Sequence, residues 1–272
     1  LVKWSPDNRK LALAIRGSFT TEDSRSLFGV MDAESDGDLK WDWSMEIEGF
    51  IWSIVWHGND FVVSDLEEVE EEHEDGPVDR NYMLTIWDAN SGEIVDQHNT
   101  NRRVSKWNQQ GTFGVIEEYD YLSSTSRVEV VQVDNGTVDM VFEDTLESEG
   151  YFSEFNWSTE NQQLIGVSQR DHDSRYSNDI YRIHMWDVEV GEKISEFELP
   201  LFSAGDSLNS YHLDRSRLFF SPDGETLIVA GATVSAWNVR TGTPIRQIWG
   251  YLPPVTSISW SPDGSNLASA NP

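Results

Sequence analysis

The side chains best suited to recognise another molecule lie in Asp171-His-Asp-Ser-Arg-Tyr-Ser-Asn-Asp179 and in the pair Tyr211 and His212. Arg175, Tyr176, Tyr211 and His212 each join apolar area to a directed polar group, the combination that dominates protein interfaces. Asp171 and Asp173 add carboxylates beside them. These six are the candidate partner-binding residues. A second stretch, Glu67–Asp75, holds seven acids in nine residues. It repels itself and offers a counter-surface to a basic peptide.

Metal and catalytic chemistry find less support. Asp32-Ala-Glu-Ser-Asp-Gly-Asp38 places oxygens at positions 1, 3, 5 and 7 and Gly at 6, like the front half of a calcium loop. Position 12 needs a bidentate acid and carries Trp43 instead. The six His are scattered without zinc spacing, and there is no Cys. No Gly-x-Ser-x-Gly elbow, phosphate loop or metalloprotease helix occurs. Carboxylates are too numerous for proximity to nominate a glycosidase pair. No catalytic residue, metal or cofactor is expected.

The loops that carry these residues are spaced by a recurring unit. Alternating apolar residues end in an aromatic and then a polar turn. Trp4, Trp56, Trp107, Trp157, Phe220 and Trp260 are the anchors, spaced by 52, 51, 50, 63 and 40 residues. Ser5-Pro-Asp, Ser221-Pro-Asp-Gly224 and Ser261-Pro-Asp-Gly264 follow three of them. A second strand comes next, as in Phe61–Ser64, Phe113–Ile116 and Leu164–Ser168. A third strand ends in a turn at Leu84-Thr-Ile-Trp-Asp88, Ile183-His-Met-Trp-Asp187 and Val234-Ser-Ala-Trp-Asn238. A fourth follows, as in Glu93–Gln97 and Pro244–Ile248. Period-two alternation rich in Val, Ile, Phe and Trp suits half-buried strands. Pro fixes φ, Asp bonds its own turn, and Gly accepts positive φ.

Four antiparallel strands per ~50 residues, repeated in tandem, predict an all-β chain, a β-propeller of four-stranded blades. The blades fall at about 1–49, 50–99, 100–148, 149–199 and 200–250. Two strands of a sixth lie in 251–272. One domain over 1–272 is expected, an incomplete ring and a section of a longer chain.

Trp87-Asp88, Trp186-Asp187 and Trp237-Asn238, with the Ser-Pro-Asp-Gly turns, make the chain similar to WD-repeat β-propellers over nearly its whole length. The resemblance implies a divergent, prokaryotic-type member and an interaction scaffold. The family's Gly-His pair before the first strand is absent, with Gly250-Tyr251 before the last repeat instead.

Within a blade, the first-to-second and third-to-fourth turns share one face. The second-to-third loops and the blade links share the other. The long segments, 16–26, 66–81, 119–126, 169–181 and 200–214, all belong to the second set. Partner binding is therefore expected on the long-loop face. Other readings are a propeller accessory to an enzyme such as a peptidase, and a surface carbohydrate or calcium binder.

Charge narrows the partners. Lys and Arg total 19 against 48 Asp and Glu, a formal net charge of −29. Nucleic-acid backbone and anionic membrane would be repelled. No apolar run approaches a membrane span. A protein or peptide with a basic or mixed surface is expected, and the compartment is not specified by these residues. Residues 66–79 contribute eight acids, so −29 + 8 leaves −21 elsewhere. Acidity that is distributed, with 14 Arg to 5 Lys, suits a saline setting. The melting temperature should rise between dilute buffer and molar KCl as self-repulsion is screened. A fall, or no change, would contradict that adaptation.

Overall fold

Within each sheet, strands that follow one another in the chain lie side by side, and their pairing is antiparallel. The computed structural model describes residues 1–16, 25–33, 40–69, 80–100, 102–120, 123, 125–146, 151–158, 163–170, 180–199, 217–221, 225–230, 234–248, 257–261 and 265–270. Every regular element among them is a strand.

The first sheet runs β1 (Val2–Trp4), β2 (Lys10–Arg16), β3 (Arg25–Asp32), β4 (Lys40–Glu48). The second runs β5 (Phe50–His57), β6 (Phe61–Val69), β7 (Arg80–Asp88), β8 (Ile94–Thr100). The third is β9 (Val104–Trp107), β10 (Phe113–Asp120), β11 (Thr125–Asp134), β12 (Thr137–Leu146). The fourth is β13 (Tyr151–Trp157), β14 (Gln163–Arg170), β15 (Ile180–Asp187), β16 (Glu192–Leu199). The fifth is β17 (Arg217–Phe220), β18 (Thr226–Ala230), β19 (Val234–Asn238), β20 (Pro244–Ile248). β21 (Ser257–Trp260) and β22 (Leu267–Ala270) pair as a sixth, two-stranded sheet.

The chain forms two compact units. The first comprises residues 1–118 and 128–143, the second residues 119–127 and 144–272.

Several strands outrun the sequence expectation. β6 continues through Asp65, Leu66 and Glu67 to Val69, where a loop was expected from Leu66. Glu67 is buried, so its acidity marked a loop that the backbone does not form there, and Asp65 just before it is buried as well. β10 likewise reaches Asp120, and β11 starts at Thr125.

Turn chemistry repeats as the sequence implies. After several anchors the next residue accepts an amide at the start of the second strand. Ser5 Oγ takes Lys10 N–H at 2.9 Å, Asn108 Oδ1 takes Phe113 N–H at 3.1 Å, and Ser221 Oγ takes Thr226 N–H at 2.9 Å. At the third-to-fourth turns, Asp88 Oδ1 accepts Ser91 N–H at 2.8 Å and Asp187 Oδ1 accepts Val190 N–H at 3.1 Å.

Each of these latter turns is followed by a bulge. Ile86 pairs with Asp96 and Trp87 with Ile94, so Val95 is the extra residue. Ile194 and Ile245 hold the same place in the fourth and fifth sheets. The bulge explains why Val95, Ile194 and Ile245 are exposed despite being apolar.

The cores lie between successive sheets. In the first unit, Ala12, Phe28 and Val30 meet Ile51, Ile54, Trp56, Val62 and Trp87. The other face of the second sheet gives Val63, Leu84 and Ile86 to Val104, Ile116, Val131 and Val133. In the second unit, Ile165, Ile183 and Met185 meet Phe220, Leu227 and Trp237. Ile228 and Val234 then meet Ile258.

Gly92 sits at φ +72°, and a Cβ there would lie 2.6 Å from the Trp43 ring. Gly58 has φ +59° with nothing within 4 Å of its missing Cβ. Gly58→Ala should therefore cost only the left-handed strain, about 1–2 kcal/mol. Gly92→Ala should cost clearly more in urea unfolding, because Trp43 must move. Equal costs would contradict the close packing.

Candidate functional site

Asp171, Asp173, Arg175, Tyr176, Tyr211 and His212 all lie outside the described residues. So does most of the calcium-like stretch, residues 34–38 of 32–38. What the structure does show on the long-loop side is a different cluster, in the first unit. Arg16 ends β2, Trp52 lies near the start of β5, Asp65 and Glu67 lie towards the end of β6, and Arg103 immediately precedes β9.

A bulge builds this cluster. Ile51 pairs with Leu66 and Ser53 with Asp65, which leaves Trp52 opposite no residue. Unbroken alternation would put Ile51 and Ile54 on opposite faces. Both are buried in one core, because the extra residue resets the parity. Trp52 is thereby turned away from that core and stays half-buried.

Polar contacts fix the ring. Its Nε1 donates to the Glu67 carboxylate. Arg16 Nε donates to Ile51 O at 2.9 Å and Nη2 to Trp52 O at 3.4 Å, which ties the first sheet to the second. The same guanidinium lies 4.5 Å from the Trp52 ring centroid, and that of Arg103 lies 4.7 Å from it. Each cation–π contact contributes about 0.5–1 kcal/mol at an exposed site and more when desolvated.

Asp65 is fully buried. Its Oδ2 accepts Val104 N–H at 2.9 Å, joining the second sheet to the third, while its Oδ1 has no partner. Burial pushes its pKa up to about 7; the Val104 bond and the Arg103 charge oppose the rise, and Glu67 adds to it.

The second unit holds a trio whose distances resemble a nucleophile, base and acid. Ser168 Oγ is 2.7 Å from His184 Nε2, and His184 Nδ1 is 3.3 Å from Glu196 Oε2. The environment gives it another role. His184 is 1% exposed and stacks on Trp186 at 5.8 Å with an interplanar angle of 15°. Desolvation drives its pKa down to about 4, against the pull of Glu196, with Lys193 and Arg182 lowering it further. At neutral pH the ring is uncharged and a poor base. The Ser168–His184 bond ties neighbouring strands inside the sheet.

Among the described residues, no group of three His, Asp or Glu side chains is placed to hold a metal ion. No helix there is long and apolar enough to cross a membrane. Trp56, Trp87, Trp186 and Trp237 are buried packing anchors, whereas Trp4 is 53% exposed.

Sequence reading did not find Trp52, Arg16, Arg103 or Asp65, and it took Glu67 only as the start of the acidic stretch 67–75, whereas the structure buries Glu67. Only one signal pointed there. In Ile51-Trp-Ser-Ile-Val-Trp56 the apolar residues do not fit a single period-two pattern, which is the mark of a bulge.

No family model matches the chain, and no curated protein matches it. Among solved structures it is similar to Kuenenia stuttgartiensis hydrazine synthase, at TM-score 0.59 and 13% identity, over 99% of this chain and 79% of that one. At that identity the likeness is one of fold. With the repeated four-stranded antiparallel sheets it gives the fold class: an all-β chain of the β-propeller type.

Asp65 supplies a pH test. Its folded pKa lies above the ordinary 3.8, so the folded protein keeps a proton that the unfolded chain has lost. Stability from this group falls as pH rises from about 4 to about 7 and is level above that. Asp65→Asn keeps an acceptor for Val104 N–H and removes the charge. The variant should gain on the parent across that window and hold its lead to pH 8. A stability gap independent of pH would contradict the buried acid.

Proposed function

We propose that the chain is a non-catalytic interaction scaffold, a WD-repeat-like propeller that engages a protein or peptide through its long-loop face. The observation that carries this reading is the bulged Trp52 with Arg16 and Arg103 over its ring. Aromatic and Arg side chains are the residue types of interface hot spots, and here strands hold them in place. Loops on a rigid scaffold then supply variable contacts, for which Arg175, Tyr176, Tyr211, His212, Asp171 and Asp173 remain the candidates.

The WD-like character has support of its own. Trp87 Nε1 donates to Ser64 Oγ at 2.9 Å, a buried bond from third strand to second. Asp88 and Asp187 close the turns that follow their Trp residues. With −29 distributed over the chain, the partner surface is basic or mixed.

The test is to capture partners by affinity purification, map them by cross-linking, and repeat with variants. Arg175→Ala with Tyr176→Ala, and separately Trp52→Leu, should weaken the interaction while the melting temperature serves as control. Substitutions at the short turns, such as Asn90→Ala, should leave binding intact. Loss of binding from the short-turn variant alone would overturn the assignment.

A further inference from the structure

We infer that the Trp52 platform is a recognition site for an oxyanion, a carboxylate or phosphoryl group carried by the partner protein. This deepens the scaffold reading and rests on it.

Arg103 is exposed, and among the described residues it makes no hydrogen bond or ion pair. Its contact with the Trp52 ring leaves the N–H edge of the guanidinium unspent. A guanidinium has five N–H donors in a planar fork that matches two oxygens of one carboxylate or phosphate. Lying over an indole ring, that fork keeps its orientation, so little freedom is lost when a ligand binds. Arg16 brings a second guanidinium over the same ring, and its bonds to Ile51 O and Trp52 O use only Nε and Nη2. Arg102, next in sequence and also exposed, adds a third positive charge.

The nearby acids do not compete for the forks. The Glu67 carboxylate receives the Trp52 indole N–H, and Asp65 receives Val104 N–H. Both are buried, with 2% and 0% exposure. Glu67 offsets part of the positive charge when the site is empty, and among the described residues the solvent side is left to the guanidinium groups. A bare anion would still feel −29 over the rest of the chain. The fitting ligand is therefore an acidic group flanked by basic residues, which is how a mixed partner surface becomes specific.

The experiment uses three fluorescent peptides with one Lys-containing frame and a central Glu, phosphoserine or Gln. Anisotropy is read at physiological salt and at 1 M KCl, where the Debye length falls to about 3 Å and long-range repulsion is screened. The chain should bind the Glu or the phosphoserine peptide about tenfold tighter than the Gln peptide, and whichever leads identifies the source of the oxyanion. Arg103→Gln should remove the preference, and Arg103→Lys should restore only part of it, with no more than a small fall in melting temperature in either, as expected for the loss of one exposed cation–π contact. Equal binding of the three peptides, or a preference that survives Arg103→Gln, would overturn the oxyanion site. Failure of the scaffold reading itself shows elsewhere, in the captured partner's indifference to the long-loop variants.

Discussion

Both faces of a four-stranded sheet must be covered, and that constraint organises the protein. A lone meander with apolar residues on both faces, as in the second sheet, would leave one of them in water. Alternation assigns successive residues to opposite neighbours. Val62 packs toward the first sheet and Val63 toward the third, and Trp87 and Ile86 divide in the same way. Indole N–H groups then lock sheet to sheet. Trp56 Nε1 donates to Lys3 O at 2.9 Å, Trp107 Nε1 to Ser53 Oγ at 3.1 Å, and Trp43 Nε1 to Ala89 O at 3.1 Å. One residue type supplies both the buried area and the register.

The candidate site grows out of that stacking. Arg16 reaches from the first sheet to the backbone of the second, and Asp65 reaches from the second to the first amide of the third. The bulge at Trp52 occurs where these ties converge. It releases one aromatic side chain from the core without interrupting the hydrogen bonds on either side. A surface of this kind needs no mobile part to be ready for a ligand. The buried Asp65 acid is the cost of building it, since its second oxygen is left without a partner.

Turns and strand periods were legible in the sequence because their causes are local. Ser5, Asn108 and Ser221 act within five residues of themselves, and Asp88 acts within three. β20 begins at Pro244 and ends at Ile248, as the pattern indicates. The end of β6 was not legible, because Asp65 and Glu67 are acids whose burial is decided by Val104, Trp52 and Arg103 from other strands. Ser168 and His184 likewise meet only through cross-strand pairing. A bulge erases period two at the position where it matters, so no pattern singles out Trp52. The expected binding loop, with Arg175 and Tyr176, lies outside the described residues and gains no structural account.

Residue-resolved hydrogen exchange tests the stacking most directly. The second sheet is covered on both faces, so the amides of Ile54, Val63 and Leu84 should exchange only through global opening of the first unit. Those of β4 and β8, whose side chains are largely exposed, should exchange by local opening at much higher rates. If Ile54, Val63 and Leu84, on β5, β6 and β7, exchange as fast as those outer strands, the account is contradicted, because the Trp52 platform would then rest on strands that the neighbouring sheets do not hold.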